Sequence, residues 1–480
     1  MIFNSYHFVA FFITFFVLYW FVFNKSLKLQ NLLLLAGSYF FYGLADWRFL
    51  VLLIAISGLN FYLGKKIEKS KSEKSKKILL YIGIVQGIGG LAFFKYFNFF
   101  IDSIKSILAK INVVNNLQTL DIIVPLGISF FTFRTVSYLL DVEKEKIKAT
   151  TNWIVFFNYV AFFPSLLSGP IDKAKLLVPQ LEQNRNFDYE NAVLGMRQIL
   201  WGFFKKLVIA NNCAVITNEV FKNYETQSAS TLLIGSLLFT IQIYTDFSGY
   251  SDMAIGFSRL IGFKITKNFN YPFFGQNISE FWTRWHISLT SWLTEYVYMP
   301  LSISFRDLGN FGGILAVIIN FCIVGLWHGA NWTYLLFGFL NGCFYIPILL
   351  KNKKVKKIDP NKTFPSGTEL FNMIKTFLLI TAALVLFKSR DIASAFGFYK
   401  SLFSFSIIKF PEIALPKLLI CLLFSAILLV TEWNNRTQDF GLNLIKTDNV
   451  YKRWGIYFGI LTAIVFFGIF TENQFIYFQF

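Results

Sequence analysis

Two histidines offer most of the chemistry available to this 480-residue chain. His328 lies in GLWHGANW, after an apolar run (312–327) whose one clearly polar member is Asn320. Imidazole is the side chain best matched to proton transfer near neutral pH. Gly325 and Gly329 flank it, which permits close backbone approach or a break in a helix. A catalytic base and a buried structural histidine are both open readings of His328. His286 lies in EFWTRWHISL. Placed at 100° steps around a helix it falls on the apolar flank, between Leu293 and Val297, so a packed histidine bonded to a neighbour is the better reading there. With His7 these are all the histidines, too few and too dispersed for a histidine metal cluster. Cys213, Cys322, Cys343 and Cys421 lie in or beside apolar runs with no C-x-x-C pair, so they read as small core residues and no metal site is expected.

Other ionisable residues fall inside apolar segments, where each is costly enough to need a reason. Arg134 sits within PLGISFFTFRTVSYLLD. It can pair with Asp141, seven residues on and on nearly the same helix face, or face a polar cavity. FFPSLLSGPID follows, where Pro164, Gly169 and Pro170 break any helix. Asp246 and Asp252 in YTDFSGYSD are six residues apart and point to different helix faces, so capping and turn chemistry is expected of them. Glu280 to Pro300 forms one amphipathic pattern, with Glu280 and Arg284 as an i,i+4 pair and Trp282, Trp285 and Trp292 on the opposite arc. Asn331 can cap the helix after His328. There is no G-x-S-x-G elbow, Walker loop, G-x-G-x-x-G or H-E-x-x-H, which weighs against a serine hydrolase, a nucleotide-driven pump and a zinc protease.

The elements that must hold these residues are membrane helices. Hydrophobic residues make up 55% of the chain and charged residues 15%, with 60 phenylalanines. A soluble chain carries about 25% charged residues, so lipid must solvate much of this surface. Successive apolar stretches give about eleven to thirteen membrane-embedded segments. They are expected to be helices in a single domain, 1–480, because unpaired backbone in hydrocarbon is too costly. The first 24 residues carry no charged side chain, and the first positive charges, Lys25 and Lys28, follow the apolar run instead of preceding it. That pattern predicts a retained span with its N-terminus outside. Lys65–Lys77 and Lys351–Lys357 are lysine-rich and expected in the cytoplasm. The net charge of +18 is accounted for by such loops, so no nucleic acid is invoked.

RWHISLTSW followed by GLWHGANW, together with PLGISFFTFRTVSYLLDV, FFPSLLSGPID, GFFKKLVIANN, IQIYTDFSGYSDMAIGFSRLIGF and NFNYPFFGQNISEFWTRWHISL, resembles the membrane-bound O-acyltransferase family. The bacterial polysaccharide O-acetylation branch is the closest in pattern, and the core motifs run from 125 to 332. The resemblance implies an all-α membrane fold with a central tunnel meeting at the family's active histidine, which maps to His328. A second family histidine maps to His286, where a donor-positioning or structural role fits better than proton transfer. His328 and His286 are thus the candidate catalytic residues, and Arg134, Asp246, Arg284, Trp327 and Asn331 the candidate substrate-binding ones. The implied donor is acetyl-CoA or another acyl thioester reaching His328 from the cytoplasm. No tightly bound cofactor or metal is implied, because a thioester is already activated. The implied product is an O-acetyl ester on an extracytoplasmic polysaccharide, with a separate SGNH-type acetyltransferase as partner, in a bacterial cytoplasmic membrane. D-alanyl transfer to teichoic acid from a phosphopantetheine carrier is the neighbouring alternative. A proton-coupled transporter is the alternative from another class; it predicts inverted repeats, and none is found.

Overall fold

Every regular element of the computed structural model is helical among the residues described, 3–351, 358–359, 362–443 and 449–470. Most of Lys351–Lys357 and the C-terminal FIYFQF lie outside them. Nine helices among the described residues are long and apolar enough to cross a membrane, and a shorter apolar helix spans Tyr6–Val22. The chain is a multi-pass membrane protein. Its lipid-facing surface shows in rows of exposed apolar side chains, such as Tyr81, Val85 and Ile88 on one helix and Phe458, Val465 and Phe466 on another. Several of the stretches expected to be embedded are short buried pieces, such as Trp153–Ala161 and Phe163–Leu166.

The chain forms two compact units. The first, Met1–Val193 with Phe257–Thr266, holds α1 (Tyr6–Val17), α2 (Leu27–Gly43), α3 (Trp47–Lys69), α4 (Glu73–Lys110), α5 (Ile128–Glu143), α6 (Trp153–Ala161), α7 (Phe163–Leu166) and α8 (Ala174–Glu182). Ser26, Asp46, Ser72 and Asn152 cap their helices by accepting backbone N–H bonds. α5 is buried on nearly all its faces, polar residues such as Arg134 and Asp141 included. Its N-terminus starts from Gly127 at φ 72°, where a Cβ would press on the Leu166 carbonyl.

The second unit, Leu194–Gly256 with Lys267–Phe480, receives α9 (Tyr189–Phe203), which passes through a wide π-type turn at Phe204–Ala210 into α10 (Asn211–Lys222). Next come α11 (Ala229–Leu260), α12 (Ile278–Arg284), α13 (Ile287–Leu293) and α14 (Met299–Ser304). Then α15 (Gly309–His328), α16 (Trp332–Lys351), α17 (Gly367–Lys388), α18 (Ile392–Leu402), α19 (Leu415–Asn434) and α20 (Val450–Phe467) complete it. α15 and α16 form a hairpin whose backbones touch: a Cβ on Gly325 would fall on the Tyr334 carbonyl, and one on Gly338 on the Phe321 carbonyl. That contact fixes the height of His328, the last residue of α15.

Candidate active site

His328 ends α15 because Gly329 turns extended and Asn331 starts the next helix, its Oδ1 accepting the Thr333 N–H at 3.0 Å. The imidazole is 4% exposed and walled by rings. Phe387 of α17 stands edge-on at 5.0 Å between centroids, and Trp327 lies at 4.9 Å.

His286 does not lie within a continuous amphipathic helix. The stretch from Glu280 to Pro300 breaks there: α12 stops at Arg284, and His286 adopts φ 45° and ψ 53° before α13 begins. This left-handed conformation is costly for a residue with a Cβ, and it persists where the surroundings over-determine it. Asn268, fully buried, is the main restraint. Its carbonyl accepts the Ile287 N–H at 2.8 Å, and its Oδ1 accepts the Ser288 hydroxyl at 2.6 Å. Its Nδ2 donates to Ser251 Oγ of α11 at 3.2 Å. The His286 ring is packed between Phe247 at 4.6 Å and Trp327 at 5.3 Å. The expectation that it packs among apolar side chains holds, while the helix around it is corrected.

Trp327 therefore touches both imidazoles. A chamber of about 30 Å³ lies against both histidines, with Trp282, Trp285, Thr290 and Asn320 also on its wall. A second, of about 10 Å³, lies against His328, Phe281, Trp282, Ile380 and Phe387. Space of this size holds one or two water molecules. These two small chambers are the space the structure places against His328. Trp282 Nε1 and Asn320 Oδ1 are buried without a hydrogen-bond partner among the described residues. The wall thus carries a donor and an acceptor not engaged by other described side chains.

The other candidates are engaged elsewhere. Arg284 binds Glu280 at 2.7 Å and the Asn270 carbonyl at 3.2 Å, which makes it a staple of the 270–284 turn. Asn331, besides capping α16, donates to the Arg390 carbonyl at 2.8 Å. Arg134 belongs to the other unit and is fully buried. It does not pair with Asp141, which lies 3.8 Å from Lys146. Its guanidinium donates to the carbonyls of Val160 at 3.1 Å, Ser165 at 3.2 Å and Pro170 at 3.3 Å, and to the Ser165 hydroxyl. Val160 lies at the end of α6, and Ser165 and Pro170 lie in the broken FFPSLLSGPID segment that follows it.

Asp246 and Asp252 are not caps. Both lie inside α11, where Asp246 pairs with Lys206 and Asp252 with Lys205 at 2.6 Å. Lys205 also reaches Ser248 Oγ at 3.0 Å, and Tyr244 donates to Glu432 at 2.7 Å. Gly202 and Gly249 let the two backbones approach closely enough for the lysines to reach across. Lys205 and Lys206 are marked in the sequence only by a Lys-Lys step inside an apolar stretch, matched by two aspartates of different facing in the next one. Nothing local marks Asn268 as an asparagine that acts on a turn 18 residues later in the chain.

Residues 120–350 match the model of the membrane-bound O-acyltransferase family. The chain is 34% identical over 412 residues to the Azotobacter vinelandii protein named Probable alginate O-acetylase AlgI, covering 84% of this chain and 78% of that one. It is 30% identical over 411 residues to the Helicobacter pylori Peptidoglycan O-acetyltransferase, covering 79% and 74%. A Bacillus subtilis Teichoic acid D-alanyltransferase matches at 28% identity over 55% of this chain and 69% of its own length.

Proposed function

This chain belongs to the membrane-bound O-acyltransferase family and is an O-acyltransferase, and from that premise we propose that it moves an acetyl group from a cytoplasmic thioester, acetyl-CoA being the simplest, toward a polysaccharide outside a bacterial cytoplasmic membrane. The observation that carries the reading is the Trp327 indole in contact with both His286 and His328, beside a chamber that both line.

In this reading His328 takes the proton of an acceptor hydroxyl while its oxygen attacks the thioester carbonyl. The carbon–sulfur bond breaks, and the departing thiolate recovers the proton from the imidazolium. A positioned base contributes about 10²–10⁴ in rate, and confining both substrates in one chamber contributes through orientation. Trp282 Nε1 is placed to steady polar atoms of the acyl group. His286, held in its turn by Asn268, positions the donor and leaves proton transfer to His328. A separate extracytoplasmic acetyltransferase is the expected partner for completing the transfer. Acetyl is favoured over D-alanyl because the acetyl-transferring relatives match over more of the chain.

The test is His328→Ala. We expect normal membrane insertion and melting with O-acetylation lost by about 10²–10⁴, read by mass spectrometry of the polymer. Mass spectrometry also separates acetyl from alanyl esters. A mutant with wild-type ester content would remove His328 from catalysis.

A further inference from the structure

A third space in the second unit differs in character from the histidine chambers. It measures about 20 Å³, and its wall is polar, with Lys205, Ser248, Asp252, Lys267 and Glu432 on it. Lys205 Nζ meets Asp252 at 2.6 Å and Ser248 Oγ at 3.0 Å. Glu432 of α19 is 1% exposed, and its Oε2 has no hydrogen-bond partner among the described residues. A buried carboxyl oxygen left open beside other polar groups, in a space of this size, is the setting in which a protein keeps an internal water.

Only rings separate this polar space from the histidines. Tyr244 and Phe269 line it. The Tyr244 ring lies 6.0 Å from that of Trp285, and Phe269 stands edge-on at 5.1 Å to Trp285 and at 5.1 Å to Phe247. Trp285 in turn is a wall of both histidine chambers, and Phe247 touches the His286 ring. The partition is thus two rings thick. Tyr244 is tied at its polar tip, where its hydroxyl donates to Glu432 Oε1 at 2.7 Å, and Phe273 packs against its ring at 4.7 Å. A tyrosine with an apolar body on one side and a bonded hydroxyl on the other suits such a boundary.

We infer that Tyr244, tethered by Glu432, is a positioning residue that keeps Trp285 and the ring partition closed, and so decides whether an acyl group beside His328 goes to the acceptor or to water. A thioester meets two nucleophiles, the acceptor hydroxyl and water. If the oxygen of a water bonds the acetyl carbon, the carbon–sulfur bond breaks and the thiolate leaves with a proton from that water. Acetic acid and free thiol are released, and no ester is made. Excluding water from the site suppresses this side reaction. The inference rests on the acyl-transfer reading for its consequence, while the closure itself is read without turnover.

The test uses the full chain in lipid nanodiscs and two readouts. Hydroxyl-radical labelling of Trp285, read by mass spectrometry, reports water beside that ring and needs no turnover. Thiol released from acetyl-CoA is then set against the ester formed on the polymer by cells carrying the same variant. Tyr244→Ala removes the ring and should raise both the labelling and the thiol-to-ester ratio on the order of tenfold. Tyr244→Phe and Glu432→Leu keep the ring and lose its tether. Each should raise both readouts by a smaller factor, with the double variant no worse than either single one, and they carry the test if Tyr244→Ala fails to fold. Glu432→Gln keeps an oxygen that accepts from the Tyr244 hydroxyl and should return both readouts to the wild-type level. A merely structural loss would lower ester and thiol release together. Unchanged labelling, or a wild-type ratio despite raised labelling, in a folded Tyr244→Ala protein overturns the inference. If labelling rises but wild type neither releases thiol nor forms ester, the thioester reading fails and the partition stands. If ester forms while labelling and ratio stay unchanged in every folded variant, the partition fails and the acyl-transfer reading stands.

Discussion

Arg134 and His328 are both ionisable, both buried, and each sits in one of the two units, yet their surroundings differ in kind. Arg134 donates to four backbone carbonyls and a hydroxyl within hydrogen-bond distance. His328 is faced by the rings of Trp327 and Phe387 and by chambers with room for a water or two. Near it, Trp282 Nε1 and Asn320 Oδ1 have no partner among the described residues. Arg134 spends both terminal nitrogens on the fold itself, and its Nε lacks a hydrogen-bond partner among the described residues. Polarity that acts on substrates needs spare capacity and space. The lysine–aspartate cluster of α11 belongs with Arg134 by this measure, since each aspartate there already meets a lysine.

The comparison breaks first at Arg134. Replacing it with methionine removes the donors and leaves several buried carbonyls unsatisfied, a loss on the order of 3–5 kcal/mol. We expect Arg134→Met to reduce the yield of folded protein sharply, measured by size-exclusion profile and thermal melting. His328→Ala should melt like wild type. A folded, stable Arg134→Met protein that had lost only activity would move Arg134 from scaffold to site.

The Lys206–Asp246 pair gives a more discriminating test, because its second mutation should reverse the loss. Lys206→Met alone strands a buried carboxylate and should cost on the order of 3–5 kcal/mol. Lys206→Met with Asp246→Leu removes both charges and should recover most of that loss, because a well-packed apolar pair replaces a buried ion pair at little cost. Melting of the two single mutants and the double mutant closes the cycle. A double mutant as stable as wild type but inactive would show that the pair does more than support α11.

How much of this was legible depended on whether the deciding contact was local. The ends of α15 and α16 agree with the apolar runs 312–327 and 332–350 to within a few residues, because Gly329 and Asn331 punctuate the chain between them. His328 could be marked as a candidate for the same reason. The break at His286 was invisible: TRWHIS has no glycine or proline, and the turn depends on Asn268, distant in sequence and hydrogen-bonded to Ser288 and Ser251. Asp246 and Asp252 look like caps when read alone and become helix-interior residues once Lys205 and Lys206 lie opposite. Arg134 follows the same rule. Asp141 is its plausible neighbour along the helix, whereas its partners are carbonyls from 25 to 36 residues away.

The subtlest expected effect lies at Asn268, where scaffold meets site. Asn268→Ala keeps the backbone bond to Ile287 but removes the Oδ1 that accepts from Ser288 and the Nδ2 that donates to Ser251. The lost bonds cost about 1–3 kcal/mol, and they are what holds a non-glycine residue at φ 45°. We therefore expect lower thermal stability and a drop in O-acetylation matching that of His286→Ala, with the Asn268→Ala, His286→Ala double mutant no less active than either single one. Glycine sharpens the test, because it adopts the left-handed conformation without the Cβ penalty. In the Asn268→Ala background, His286→Gly should regain melting temperature relative to His286→Ala, although activity stays low. If glycine and alanine at 286 melt alike in that background, Asn268 is not what holds the turn, and His286 must owe its position to the Phe247 and Trp327 rings on either side of it.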